Sequence, residues 1–281
     1  MRKFRVIFMC LRSARRTSVL LGITLVCLVA AAWLTRQATA VPVGLQARQL
    51  LVTLDRLEPP WVEGAKVRTS DDPALHLAGL LAQHNHVPLV LRERRLPHNK
   101  PLADQAAVVL TYLPATRASW SDSEQKAYRL PIESRPMAIM RSDTRLRAWV
   151  DLADRTVCVS RNSRHRGYAA SYGASEIMFP APADALLALR RGACDAAVHE
   201  AGVLQAMTRL PEWAKFSASL PLGQARSLHA VLPGELSEQD EQLLKQLRQL
   251  VSASATQAMY ARVARDIAFE VYLDQVVEDC H

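Results

Sequence analysis

At 281 residues, of which 49% are hydrophobic, the chain is long enough for one large domain or two medium ones and too apolar to be a disordered tail. Its net charge of +8 suggests a nucleic-acid binder, but seven of its 35 basic residues (Arg2, Lys3, Arg5, Arg12, Arg15, Arg16 and Arg36) fall in the first forty positions, which hold no acid. The remainder carries 28 basic against 27 acidic residues, so it has no basic footprint; nucleic acid is excluded as a partner and the basicity belongs to targeting.

The targeting segment has a basic region up to Arg16, an apolar run VLLGITLVCLVAAAWL over residues 19–34, and Ala38-Thr39-Ala40. Positive charge ahead of an apolar run holds the amino end in the cytosol and sends the rest across the membrane. The run is long for a signal peptide and near spanning length, while Ala38-x-Ala40 has the form of a cleavage site. Residues 1–40 are therefore expected to be a signal peptide or a membrane anchor. Export places Cys158, Cys194 and Cys280 in an oxidising compartment. Cys158 and Cys194 each belong to an apolar strand of what reads as one sheet and form the natural pair, with two buried thiols as the alternative that sequence leaves open.

In chain order, residues 49–54 read as a buried strand running into Asp55-Arg-Leu-Glu58-Pro-Pro60-Trp61, a rigid loop that can present Glu58 or Trp61 to a ligand. Asp71-Asp72-Pro73 has the form of an N-cap and first turn for a helix with Leu77, Leu80 and Leu81 on its apolar face. His76, His84 and His86 lack a fixed fourth ligand, so they read as surface histidines and no metal is expected. A strand over 106–110 delivers Thr111, Tyr112 and Arg117 at its carboxyl end, and the Arg117 fork matches a carboxylate. Further strands are expected over 137–140 and 156–160, the latter ending in Arg161-Asn162-Ser163-Arg164, where Asn162 or Ser163 would cap a helix.

The stretch ADALLALRRGACDAAVHE, residues 183–200, organises the chain. Pro182 suits a first helical turn, Leu186 and Leu189 share a face, Arg190 and Arg191 suit the negative end, and Gly192 stops the helix. A buried strand then carries His199 and Glu200 at its carboxyl end, where open α/β sheets bind ligands. A late strand over 227–232 and helices over 237–250 and 254–267 complete the pattern.

Four strands thus end in polar groups, and their order resembles that of the family 3 bacterial solute-binding proteins, two-lobed periplasmic receptors for polar amino acids and related solutes. Asp55-Arg-Leu-Glu-Pro-Pro-Trp61 resembles the family's D-x-x-x-P-P-aromatic loop, Pro114-Ala-Thr-Arg117-Ala118 its T-P-x-R-A turn, Ser160-Arg-Asn-Ser163 its Q-G-T-T, and Ala185 through Ala196 its helix-and-strand signature with the ammonium-binding acid at Glu200. Arg161 replaces a glycine, Glu58 stands where an aromatic often stacks on the ligand, and the family's G-F-D before the first helix is absent. The resemblance implies an α/β fold of the periplasmic binding protein type II class, each lobe a mostly parallel sheet flanked by helices, behind the N-terminal signal or anchor helix. Lobe one is expected over 48–143 and 224–281, and lobe two over 144–223. The family lays the strands of Cys158 and Cys194 side by side, which implies the disulfide. It also implies a ligand set of Asp55, Glu58, Trp61, Thr111, Tyr112, Arg117, Asn162, Ser163 and Glu200, with Arg117 and Glu200 clamping a bipolar solute.

The function expected from this resemblance is a periplasmic, monomeric receptor for a small polar, amino-acid-like solute. It would need no cofactor, would feed an inner-membrane permease, and would be free in the periplasm, secreted, or tethered by its N-terminal helix. Two alternatives stand beside it. One is a membrane-tethered sensory or assembly module with a degenerate cleft. The other is an enzyme resembling the cyclohexadienyl dehydratases, with Glu58, Glu200 or His199 as general acid.

Overall fold

The computed structural model describes residues 49–57, 62–63, 66–94, 108–115, 125–233 and 235–278. The chain divides into two units, Met1–Gln46 and Ala47–His281, and all described residues belong to the second. The expected signal or anchor segment, Glu58, Trp61, Arg117 and Cys280 lie outside the described residues. Among the described residues no helix is long and apolar enough to cross a membrane.

The chain enters through β1 (Leu50–Leu54), whose LLVTL is buried throughout, as a strand covered on both faces requires. A two-stranded ribbon, β2 (Val62–Glu63) and β3 (Lys66–Val67), leads to helix α1 (Pro73–His84). Asp72 caps α1 by accepting from the Ala74 N–H at 2.9 Å, and proline occupies the first turn, where its missing N–H costs nothing. Next come β4 (Leu89–Glu93), β5 (Val108–Pro114) and β6 (Gln125–Ser134). In β6 residues 127, 130, 132 and 134 turn inward between exposed neighbours. Pro131 falls opposite a register shift between Ser227 and His229 of the partner strand, at the sheet edge, one of the few places a sheet accepts proline.

Then follow β7 (Pro136–Met140), β8 (Thr156–Ser160), β9 (Ser175–Phe179), α2 (Pro182–Arg190), β10 (Ala196–Glu200), α3 (Ala201–Met207), β11 (Ala218–Ser219), β12 (Arg226–Pro233), α4 (Glu238–Leu250) and α5 (Ala253–Glu278). The strands form two sheets, ordered β4-β1-β5-β12-β6 and β11-β7-β10-β8-β9. In the first, β4, β1 and β5 are parallel, while β12 is antiparallel to β5 and β6. In the second, β10, β8 and β9 are parallel, and β7 is antiparallel to β10 and β11. The strand over 137–140, expected in lobe one, lies in the second sheet, so the chain crosses at Arg135.

Alternation along the second sheet separates two cores. Ile139, Cys158 and Ala197 face the helical layer made by Leu186 and Leu189 of α2, Val203, Leu204 and Met207 of α3, and Val263, Ile267 and Val271 of α5. Ala138, Met140, Val157, Val159, Ala196 and Val198 face Trp149, Leu152 and Leu220 on the other side. The C-terminal helix, expected with lobe one, therefore packs on the second sheet's helices, because its apolar stripe continues through Val271. Cys158 and Cys194 are joined, with Cα atoms 5.7 Å apart, tying β8 to the turn before β10. Cys158 lies opposite Ala197 in the ladder, and Cys194 reaches back to it from the turn that precedes β10.

Gly202 in α3 marks a close approach: a Cβ there would collide with the Tyr260 ring of α5. Gly202→Ala should cost about 1–3 kcal/mol, the usual range for overpacking a core, read as a lower midpoint in urea unfolding. An unchanged midpoint would mean that the two helices slide apart at no cost.

Candidate functional site

The carboxyl ends of β1, β5, β8 and β10 converge between the two sheets, which is where this topology places ligands. From the first sheet come Asp55, Thr111 and Tyr112, together with Asp71 and Asp72 at the start of α1. From the second come Ser163, Arg164, His165, His199 and Glu200.

Glu200 ends β10, as expected, and is 2% exposed. It accepts from Ser134 Oγ at 2.6 Å and from His165 Nε2 at 3.1 Å. Its backbone N–H donates to Asp71 Oδ2 at 3.1 Å, which also accepts from His199 Nδ1 at 3.1 Å. A carboxylate only accepts, so His199 carries its proton on Nδ1, and its Nε2 is buried with no partner among the described residues. Burial pushes the Asp71 carboxyl up, but the His199 hydrogen bond and charge, with the Glu200 N–H and the His165 charge, outweigh it and hold the group at about 2 against an ordinary 3.8.

Asp72 does more than cap α1. Its Oδ1 accepts from Tyr112 Oη at 3.0 Å, and its Oδ2 accepts from Arg164 Nη2 at 2.7 Å. The Arg164 guanidinium lies over the Tyr112 ring, 3.4 Å from its centroid. Burial lowers the Arg164 pKa, but the charges of Asp72 and Glu200 and the Tyr112 hydroxyl outweigh it and raise it above the usual arginine range. Burial first, then the Asp72 charge, raises Tyr112; burial and the charges of Glu200, Asp72 and Asp71 raise Tyr260 of α5. Asp72 and Glu200 thus both act on the Arg164 guanidinium, with Asp71 beside them.

The expected ligand residues fare unequally. Asp55 is engaged within the first sheet: Oδ2 accepts from Thr111 Oγ1 at 2.5 Å and the Tyr112 N–H at 3.1 Å, and Arg94 lies 3.8 Å from Oδ1. Asp55 and Thr111 therefore brace the ends of β1 and β5 against each other. Ser163 is 1% exposed; its Oγ accepts from the His165 N–H at 3.2 Å and its carbonyl from Arg56 Nη1 at 3.1 Å. Asn162 is half-buried in the turn after β8, and the expected capped helix there is reduced to a 3-10 turn at Ala170–Tyr172. Arg161, which stands in place of a glycine, is exposed.

Sequence reasoning missed Asp71, Asp72 and Arg164 as cleft residues. The Asp71-Asp72-Pro73 signal was exhausted by its capping role, and Arg164 was one arginine in an arginine-rich chain. Just before α1, the buried Arg68 pairs with Asp184 at 3.2 Å, with Glu270 at 3.9 Å and with Asp274, and Glu270 accepts from Thr69 Oγ1 at 2.6 Å. These contacts hold residues 68–72 against α2 and α5. Among the described residues no group of three or more His, Cys, Asp or Glu side chains is placed to hold a metal ion.

Asp71 makes the assembly acid-sensitive. A carboxyl whose folded pKa lies below its unfolded value stabilises fully above about 3.8 and loses that stabilisation as pH falls through about 2. The shift corresponds to about 2 kcal/mol. Melting temperature should therefore drop between about pH 4 and pH 2, and the drop should shrink in Asp71→Asn, as followed by circular dichroism.

No protein-family model and no curated protein matches this chain. Solved structures do. A mutant of ArgBP from T. maritima matches with a TM-score of 0.50 at 19% identity, over 80% of this chain and 98% of that one. The substrate-binding protein AbpA of an amino acid ABC transporter from Streptococcus pneumoniae, bound to L-arginine, matches with a TM-score of 0.50 at 16% identity, over 79% and 97%. The described chain has the two-lobed α/β fold of the amino acid ABC transporter substrate-binding proteins, the fold that the family 3 resemblance implies.

Proposed function

We propose that the chain is an exported solute-binding receptor for a small polar, amino-acid-like ligand with a cationic end, handed on to an inner-membrane permease. The observation that carries this reading is the pairing of acids across the cleft: Asp72 from the first lobe and Glu200 from the second both act on one guanidinium stacked on Tyr112. An amino or guanidino group fits such a site, since charge-assisted hydrogen bonds in a closed cleft are the strong ones. Arg117, expected at the turn after β5, would hold the ligand's carboxylate. The fold supplies hinge closure as the working motion.

A thermal-shift screen of the full chain against arginine, lysine, agmatine, glutamate and neutral amino acids tests the reading, because a ligand that binds only the folded state raises the midpoint by mass action. Basic ligands should raise it and glutamate should not. Glu200→Gln should weaken any such ligand at least tenfold, as one charge-assisted bond is worth about 1.5–3 kcal/mol. A screen in which no solute shifts the midpoint would favour the second reading, a closed module with no solute. That reading draws support from the internal engagement of Asp55, Asp71, Asp72 and Glu200.

A further inference from the structure

Arg164 is the cation that Asp72 and Glu200 act on, and it belongs to the chain itself. It follows β8 in the second lobe, yet its guanidinium bonds to Asp72 Oδ2 at the start of α1 and stacks on Tyr112 of β5, both in the first lobe. The side chain is 15% exposed and that of Asp72 is 5% exposed, so the pair is shielded from solvent. A planar fork bonded to a carboxylate and lying flat on an aromatic face is how a guanidinium is recognised in general. A lysine would form the ion pair without the stacking.

We infer that Arg164 is a tethered occupant of the cleft's cation subsite, so that the lobes close without solute and any cationic ligand must displace an internal guanidinium. The inference deepens the receptor reading above by naming what the site holds when no solute is bound. It also predicts weak apparent affinity in the parent protein, because only the fraction of molecules with Arg164 withdrawn presents the subsite. Asp71–His199 and Arg56–Ser163 O join the same two lobes and remain when Arg164 is gone. Removal of Arg164 should therefore empty the subsite without dismantling the interface.

The test uses the full chain and methylguanidinium as probe. Arg164→Ala should gain a methylguanidinium-dependent rise in thermal midpoint that the parent lacks. Methylammonium should give a smaller rise, and the Arg164→Ala/Asp72→Asn double variant none. In hydrogen exchange, amides of residues 160–169 should exchange about tenfold or more faster in Arg164→Ala, and methylguanidinium should restore their protection. Asp72→Asn, which retains a good N-cap, frees Arg164 without deleting it and should speed exchange in the same segment, so the idea stays testable if Arg164→Ala folds poorly. Methylguanidinium binding equally to the parent and to Arg164→Ala, or unchanged exchange in both single variants, would overturn the inference. The two readings fail separately. If Arg164→Ala binds the probe while the parent binds no solute, the tethered occupant stands and the receptor falls. A parent that binds a basic solute beside an Arg164→Ala that ignores the probe gives the reverse.

Discussion

Asp72→Ala is expected to lower the stability of the folded chain by about 4 kcal/mol, equivalent to a fall of roughly 10 °C in melting temperature for a domain of this size. Two effects act together. The N–H of Ala74 loses its side-chain cap, which by itself costs about 1 kcal/mol. The Arg164 guanidinium and the Tyr112 hydroxyl lose their shared carboxylate while buried, and an uncompensated buried charge makes up the larger part. A buried ion pair replaced as a whole by apolar groups is often neutral, so Asp72→Ala/Arg164→Met should recover most of the loss. Urea unfolding of the three variants would decide it. A double variant no more stable than Asp72→Ala would show that the pair does not carry the effect.

Opening the Cys158–Cys194 disulfide should cost a similar amount. The two residues are 36 positions apart, and closing a loop of that length stabilises by about 4 kcal/mol in the chain-entropy model. The bond joins β8 to a turn that also holds it through the Asp195 N–H on the Thr156 carbonyl and the Thr156 N–H and Oγ1 on Asp195 Oδ2, each at 2.9 Å, so its loss loosens, without releasing, the turn that positions β10 and with it Glu200. The double serine variant should therefore melt roughly 10 °C below the oxidised parent, and reductant should shift only the parent. If the oxidised parent and the serine variant melt together, native packing holds the turn without the bond.

Much of the fold was legible because burial writes itself into sequence as period and punctuation. LLVTL at β1, TVCVS at β8 and the helix-and-strand stretch ending at Glu200 are apolar runs bounded by capping, proline and glycine signals that local physics can read. β6 was not legible, since Lys126, Arg129, Pro131 and Glu133 face outward on an edge strand and break any apolar run. β9 was hidden for the same reason, with Ile177 and Met178 partly exposed.

The sequence by itself determined the helix-and-strand stretch that carries Glu200 to a strand's carboxyl end, because it depends on residues near one another in the chain, while the two-lobed α/β fold and the disulfide were legible through the family resemblance. Only the tertiary structure decided what Glu200 and Asp72 meet there. The Asp72–Arg164 pair spans 92 positions and Asp71–His199 spans 128, and no local pattern marks either. A charge in sequence has a sign but no partner. Partnership follows from which strand ends face each other across the cleft, and this packing sets an arginine of the chain where the bare pattern had left room for a solute.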